Sequence, residues 1–217
     1  MSSVSYKVTY ESGSGEIIEK KSRFLAAVQP VTSEEEAAAF IGAVKKKYWD
    51  ASHNCSAFTI GRNHELTRCS DDGEPSGTAG RPMLDVLLRE DIHNTAVVVT
   101  RYFGGTLLGT GGLVRAYQKS VQAGLAGAVV IEKQQGQMLD IVTDYNGLGK
   151  IQYLTAQRKI PVLDTEYTDR VVIHAVIPLE LKNEFAKAVT EGTSGTAELV
   201  WGETAEFAEI ADKIHVF

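Results

Sequence analysis

The hydrophobic pattern predicts a strand, a glycine-rich loop and a helix in succession near the middle of the chain. Residues 96–100 form a short apolar, β-branched run, which is typical of a strand covered on both faces. Arg101 and Tyr102 end this strand, and a loop dense in glycine follows. With Thr110 as the predicted N-cap, a helix should open near Gly111. Its apolar positions recur at helical spacing: Leu113, Ala116, Tyr117, Val121, Leu125 and Ala128.

Upstream of this stretch the pattern predicts more strands and two helices. Ser33 and Glu36 form a capping-box pattern, which predicts a helix ending in the lysines at 45–47. Residues 70–82 contain three glycines and two prolines, which predicts an ordered loop leading into a helix through residues 83–88. Four short runs predict strands: residues 4–10, 15–19, 23–28 and 54–60.

The last third of the chain predicts a second domain. Its elements alternate as strand, helix, two strands, helix and strand, which is the order of the ferredoxin-like split βαβ unit. Glycine and polar residues around Gly136 mark the boundary, giving domains 1–135 and 136–217. The six predicted elements are residues 137–143, 145–158, 161–168, 171–177, 179–190 and 197–201.

Composition and charge narrow the functional classes. Of the 217 residues, 1–135 hold 15 Lys/Arg and 15 Asp/Glu, while 136–217 hold 7 and 13, so the net charge of −6 lies in the second part. This acidity argues against wrapping nucleic acid along the whole chain. Because only Cys55 and Cys69 are present and no apolar run approaches the roughly 20 residues that span a membrane, we expect a reduced cytoplasmic protein. Cys55, Cys69 and His53 lack the usual spacing of a structural zinc site.

The glycine loop predicts an anion site. A helix N-terminus presents unpaired amides and the positive end of the helix dipole, which attract phosphate or carboxylate. The alternative is that the glycines only permit tight turns and close packing of strand and helix. Residues 104–109 have the GxxxxG spacing of a P-loop, but Thr110 and Gly111 stand where Lys and Ser/Thr are required. The dinucleotide-binding fingerprint also fails, because Val114 stands where it needs Gly or Ala. The candidate anion-binding and nucleic-acid-binding residues are His53, Arg101, Tyr102, Gly104, Gly105, Gly109, Thr110, Gly111, Gly112, Arg115 and Lys119.

A second constellation is an acidic cluster in the loop at 70–82. Asp71, Asp72 and Glu74 place three carboxylates within four positions, and they could hold Mg²⁺ opposite a bound phosphate. The same residues are also good turn formers, and Arg81 could pair with them. His53 could then move a proton as a catalytic group with Asp72 and Glu74, although a lone histidine is more often structural.

Two long motifs resemble the UPF0029/IMPACT family. They are residues 71–82 (DDGEPSGTAGRP) and 101–117 (RYFGGTLLGTGGLVRAY), supported by HNCSAF at residues 53–58. The resemblance extends over roughly residues 15–125, and the chain is similar to the bacterial YigZ-type members that carry an additional DUF1949-like C-terminal domain. It implies an α/β (α+β) fold, with an N-terminal ribosomal protein S5 domain 2-like domain and a ferredoxin-like second domain that resembles elongation factor G domain V. It also implies a link to translation or its regulation, while the kinase-pathway role of eukaryotic members needs a further domain that has no counterpart here.

Three functions follow as expectations. The first is a non-catalytic protein that binds the phosphates of RNA or of a nucleotide, in association with the ribosome, with Tyr102 and Phe103 stacking on a base. The second is a Mg²⁺-dependent phosphoryl hydrolase or transferase that uses the acidic cluster. The third is a protein-interaction module whose acidic second domain docks onto a partner. The sequence leaves the oligomeric state open.

Overall fold

The computed structural model describes residues 5–217, so Val4 of the first predicted strand lies outside the described part. By its internal contacts the chain divides into two compact units, Tyr6–Ile131 and Glu132–Phe217 with Ser5. The predicted boundary at Gly136 lies inside a strand, Val129–Thr143. Each unit combines helices with a β-sheet, which confirms the mixed α/β fold class. Among residues 5–217, no helix has the length and hydropathy needed to cross a membrane.

The first unit is built on a five-stranded antiparallel sheet. Its strands run in the order β2-β3-β7-β4-β5. β1 pairs in parallel with β6, and neither strand belongs to this five-stranded sheet. The strands are β1 Ser5–Glu11, β2 Gly13–Glu19, β3 Ser22–Pro30, β4 His53–Ile60, β5 Leu66–Ser70, β6 Ile92–His93 and β7 Thr95–Tyr102. The helices are α1 Glu34–Lys47, α2 Gly80–Arg89 and α3 Thr110–Ala126.

Alternation along the central strands gives the sheet two apolar faces. Val97 and Val99 of β7 lie in the main core with residues of α2 and α3. Ala96 belongs to a smaller core with Ala37 of α1. Because both faces are covered, the middle of β7 is an unbroken apolar run, residues 96–99, as its sequence predicts. This sandwiched strand carries Arg101 at its end and so fixes the start of the glycine loop.

The helix starts follow local capping chemistry. The Oγ atom of Ser33 accepts a hydrogen bond from the Glu36 backbone at 3.2 Å, which confirms Ser33 as the N-cap of α1. The Glu36 carboxylate accepts a hydrogen bond from the Thr32 backbone amide at 2.6 Å. Helix α2 begins at Gly80, before the predicted start at Met83.

The second unit has the predicted ferredoxin-like order. Its main strands lie side by side as β9-β10-β8-β11, all antiparallel. A further strand, β12, pairs with β11 and was not predicted from the sequence. The elements are β8 Val129–Thr143, α4 Tyr145–Gln157, β9 Val162–Tyr167, β10 Val171–Pro178, a 3₁₀ turn Leu179–Leu181, α5 Lys182–Gly192, β11 Glu198–Ile210 and β12 Lys213–Val216.

Candidate functional site

A cavity of about 530 Å³ lies in the first unit, where β7 and the glycine loop lead into α3. Its polar lining consists of Ser52, His53, Glu74 and Arg101. Gly109 and Thr110 bring the N-terminus of α3 to its edge. The remaining wall is apolar: Pro75, Phe103, Leu107, Leu108 and Leu113. An apolar wall with a few convergent polar groups is typical of a small-molecule site, and the volume lies within the usual range of about 300–1,000 Å³.

The N-terminus of α3 is uncapped. The first helical bond runs from the Leu113 amide to the Gly109 carbonyl at 2.9 Å. No described residue accepts a hydrogen bond from the amides of Thr110, Gly111 or Gly112, and the first turn holds no acidic side chain. The prediction that Thr110 is the N-cap was wrong. Gly109 takes that position with φ 72°, and because glycine has no side chain to offer, the donors remain open.

Arg101 is buried beside the cavity and is not a free cation. Its Nη1 donates to Oε1 of Glu74 at 2.6 Å, and its Nη2 donates to Oγ of Ser22 at 3.4 Å. Its guanidinium carbon lies 5.6 Å from the ring centre of Phe103. The Nε atom is buried without a hydrogen-bond partner among the described residues. Because the Glu74 carboxylate neutralises this guanidinium, Arg101 contributes shape and order to the cavity rather than net positive charge.

Glu74 connects Arg101 to a chain of buried groups. Its Oε1 also accepts from the Tyr117 hydroxyl at 2.8 Å. The Cys55 sulfur lies 3.3 Å from that hydroxyl and 3.0 Å from the Asp71 carbonyl oxygen. Burial is the main cause that raises the pKa of the Tyr117 phenol, and burial raises the pKa of the Cys55 thiol to about 12. Both groups therefore stay protonated at neutral pH, and Cys55 is not an activated nucleophile.

His53 also lines the cavity. Its side chain is part-buried and is held by the acidic loop, which is the loop at residues 70–82 that carries Asp71, Asp72 and Glu74. Its Nδ1 lies 2.9 Å from the Asp72 carbonyl oxygen, which can only accept, so Nδ1 carries the proton. Its Nε2 lies 3.9 Å from Oε2 of Glu74. The structure thus brings His53, Arg101, Gly109 and Thr110 together around one cavity, although their sequence positions are far apart.

The three carboxylates of the acidic loop take separate partners. Asp71 accepts from the backbone amides of Gly77, Ala79 and Gly80 at 2.8, 3.0 and 2.8 Å. Burial alone would raise the pKa of Asp71, but these three donors outweigh it and lower the pKa. Asp71 therefore holds the loop in place and supplies the acceptor that the start of α2 lacks.

Asp72 is held in a different way. It accepts from Nζ of Lys45 at 2.6 Å and from the Asn54 amide at 2.7 Å. Burial would raise the pKa of Asp72, but these partners outweigh it and lower the pKa. Within residues 5–217, Asp71, Asp72 and Glu74 do not form a group whose oxygens could share one ion, so the structure offers no support for the Mg²⁺ cluster. The prediction that Arg81 pairs with these acids was wrong, because Arg81 pairs with Asp85 at 2.7 Å.

Arg115 and Lys119 lie at a second, smaller cavity of about 180 Å³. Lys20 and Gly112 line it too, and Leu108 is shared with the first cavity. The predicted anion-binding residues are thus divided between two adjacent places rather than gathered in one.

The other predicted residues line neither cavity. The Tyr102 hydroxyl donates to Asp50 at 3.0 Å. Gly104 fits against the backbone of Lys21, where any Cβ would collide, so its role is close packing. Gly105 and Gly111 are exposed in the loop and at the first turn of α3.

Sequence reasoning missed several residues of the cavity. Ser52, Pro75, Leu107 and Leu108 line it, and Tyr117 orders it through Glu74. Leu107 gave one signal in the sequence, because it is an apolar residue within a glycine-rich loop. Its side chain is 82% exposed, so it adds little to the core and presents apolar surface beside the cavity.

Comparisons with known proteins identify the family. Residues 20–125 match the Impact N-terminal domain, and residues 141–196 match a domain of unknown function, DUF1949. The chain is 42% identical over 199 residues to the IMPACT family member YvyE of Bacillus subtilis strain 168, covering 92% of each protein. It is 33% identical over 183 residues to the IMPACT family member YigZ of Escherichia coli strain K12, covering 83% of this chain and 90% of that protein. A crystal structure of a hypothetical protein aligns with a TM-score of 0.58 at 31% identity, covering 93% of this chain and 98% of the other. The resemblance seen in the sequence motifs is confirmed, and the chain belongs to the IMPACT family.

Proposed function

We propose that the first unit binds a phosphate-bearing ligand, either a nucleotide or an unpaired nucleotide of RNA. The phosphate is received by the amides of Thr110, Gly111 and Gly112, and the base enters the adjoining cavity. The observation that carries this proposal is that the open helix N-terminus adjoins a cavity with an apolar wall. A helix N-terminus favours an anion by typically 0.3–1 kcal/mol through its dipole, and three amides add direct hydrogen bonds.

The apolar wall suits the flat face of a base. Phe103 is half exposed and Leu107 is largely exposed, so both present apolar surface to a ligand. Stacking of a base on an aromatic side chain is worth about 1–3 kcal/mol. Tyr102 is turned to Asp50, so Phe103 alone of this predicted aromatic pair lines the cavity. An inorganic anion would use only the amides, whereas a nucleotide would use both parts.

The second cavity extends the same surface toward a longer ligand. Lys20, Arg115 and Lys119 line it, with Glu19 as the single carboxylate. Because Leu108 separates the two cavities, a strand with one base in the first cavity would bring a neighbouring phosphate near these cations. Such contacts add an electrostatic term that depends on salt concentration. RNA is therefore the ligand that uses both cavities, and it is compatible with the link to translation that the family resemblance implies.

The proposal is tested by titrating the full chain with a nucleoside monophosphate and following backbone amide signals by NMR. We expect the amides of Gly111 and Gly112 to shift on addition of the nucleotide, and to shift less with inorganic phosphate at the same concentration. Gly195, a glycine in the second unit, serves as an internal control that should not move. If neither nucleotide nor single-stranded RNA shifts the α3 amides, the proposed function is wrong.

A further inference from the structure

Three side chains meet in the first unit, in a group that none of the functions above uses. His64 lies in the turn after β4, Asp91 in the turn after α2, and His93 in β6. The candidate ligand atoms of these residues all lie within 4.8 Å of one another. Nε2 of His93 is 2.9 Å, and Nε2 of His64 is 3.4 Å, from the same carboxylate oxygen, Oδ1 of Asp91.

Both ring nitrogens of the buried His93 face oxygen acceptors. Nδ1 lies 3.1 Å from the carbonyl oxygen of Gly61, and Nε2 faces Asp91. A neutral imidazole has one N–H group, so one of these contacts needs either a second proton or a metal ion. An Nδ1–H group that donates to a backbone carbonyl is the usual arrangement of a histidine whose Nε2 binds a metal.

The position of His64 favours the metal ion over the second proton. Its ring is stacked on that of His93, with centres 3.7 Å apart and an angle of 14° between the planes. Two protonated rings so close would repel each other, whereas a single divalent ion can be shared by two neutral rings and a carboxylate. The Nδ1 atom of His64 is buried and has no hydrogen-bond partner among the described residues, so this ring can tilt toward an ion without breaking a bond.

We propose that Nε2 of His64, Nε2 of His93 and the carboxylate of Asp91 bind a divalent transition-metal ion of the zinc class. Imidazole with carboxylate is a ligand set that suits zinc and its neighbours rather than Mg²⁺ or Ca²⁺. Ligand atoms about 2.0–2.1 Å from a tetrahedral ion lie about 3.3 Å from one another, close to the observed 2.9 and 3.4 Å. Asp91 is 59% exposed in its side chain, which leaves the outer side of the ion open to water. Such an ion would join the β4–β5 turn to the turn before β6.

Two substitutions remove a ligand while keeping the backbone. His64 and Asp91 have φ of 54° and 55°, in the left-handed region that asparagine tolerates better than most residues. His64→Asn and Asp91→Asn therefore delete a ligand with little strain. Asp212→Asn is the matched control, because Asp212 is exposed, has φ 62° and lies in the second unit.

The experiment is a calorimetric titration of the full chain with Zn²⁺, repeated with Co²⁺ while visible absorption is recorded. We expect one equivalent to bind at micromolar concentrations, and we expect His64→Asn and Asp91→Asn each to weaken binding at least as much as the roughly 10–100-fold typical of outer-shell losses. Asp212→Asn should bind like the wild-type chain. Zn²⁺ should also raise the Tm of the wild-type chain and not that of Asp91→Asn. Absence of Zn²⁺ binding to the wild-type chain, or binding by both ligand variants that is as tight as that of the wild-type chain, would overturn the proposal.

Discussion

Nη1 of Arg101 donates to Oε1 of Glu74 at 2.6 Å, and both side chains are almost fully buried, at 6% and 2% exposure. The pair joins the end of β7 to the loop at residues 70–82. It therefore holds two parts of the cavity wall in fixed positions relative to each other. An ion pair placed this deep is weak evidence for net stabilisation, but the loss of one partner leaves the other charge buried and alone.

Arg101→Met should therefore destabilise the fold by about 3–5 kcal/mol, because it leaves the Glu74 carboxylate without its cation. The double variant Arg101→Met/Glu74→Gln should recover part of that loss, since no uncompensated charge then remains. Urea unfolding measures the free energy of unfolding of both variants. The control is Arg81→Met at the exposed pair with Asp85, which should change the free energy of unfolding by less than about 0.5 kcal/mol. Equal losses for the single and double variants would contradict the coupling.

Asp71→Asn should lower stability near neutral pH and lose its effect in acid. The pKa of Asp71 is lowered in the folded chain, so its stabilising contribution is present above the ordinary value of 3.8 and is lost as pH falls through the folded-state pKa. An asparagine side chain would point its amide NH2 group, which can only donate, at one of these backbone N–H donors. After allowance for partial exposure, we expect a loss of about 1–2 kcal/mol at neutral pH. Urea midpoints measured from pH 7 downward test this, and a difference that persists unchanged below 3.8 would count against it.

The sequence alone predicts much of this fold because local chemistry decides many of its elements. Ser33 caps α1, and β7 is apolar on both faces because helices cover both sides of its sheet. The start of α3 was predicted wrongly because threonine is a residue type that often serves as an N-cap. In the structure Gly109, with its left-handed φ, is the N-cap, and the helix begins one residue earlier than predicted. The short strands β5, β6 and β12 were missed, since their pairing depends on neighbours distant in sequence.

The candidate site was predicted only in part, because side-chain partners depend on tertiary contacts. Arg101 stands beside the glycine loop in sequence, yet its charge is neutralised by Glu74, 27 positions away. The acidic cluster is dense in sequence but divides among three sets of partners in space. Likewise, nothing in the spacing of His64 and His93 indicates that their rings stack.

His174→Gln should destabilise the second unit below the ordinary histidine pKa of 6.5 and have less effect above it. The hydrogen bond to Asp140 at 2.7 Å is the main cause that raises the pKa of His174, and Glu166 and Asp164 also face it. Because the folded-state pKa is raised, the contribution is full below 6.5 and is lost as pH rises through the folded-state value. The pair is partly exposed, so we expect the substitution to lower the free energy of unfolding by less than about 1 kcal/mol. Urea midpoints of the variant and of the wild-type chain, measured below and above pH 6.5, test this prediction. A destabilisation that grows as pH rises would contradict a raised pKa of His174 in the folded chain.

Leu107→Asp should weaken nucleotide binding while Leu107→Asn should weaken it less. Leu107 is 82% exposed and lines the cavity, so either substitution should leave the fold intact. Both remove apolar surface, but only aspartate adds a negative charge near the open amides of α3. We expect about a fivefold to tenfold difference between the two variants at low salt, equivalent to about 1–1.4 kcal/mol. Calorimetric titration with a nucleoside monophosphate gives both affinities, and identical values would indicate that the phosphate lies elsewhere.

Arg115→Gln and Lys119→Gln should separate RNA binding from nucleotide binding. Both cations line the second cavity, so a mononucleotide held at the first should bind these variants like the wild-type chain. Single-stranded RNA that reaches the second cavity should lose affinity, and the plot of log affinity against log salt should become less steep by about 0.7 for each lost phosphate contact. Fluorescence anisotropy at several salt concentrations measures this slope. The exposed Lys187, on α5 of the second unit, provides the control as Lys187→Gln, which should leave the slope unchanged. If the slopes of all three variants equal that of the wild-type chain, RNA does not cross the second cavity, and the ligand of the first unit is a free nucleotide rather than a strand.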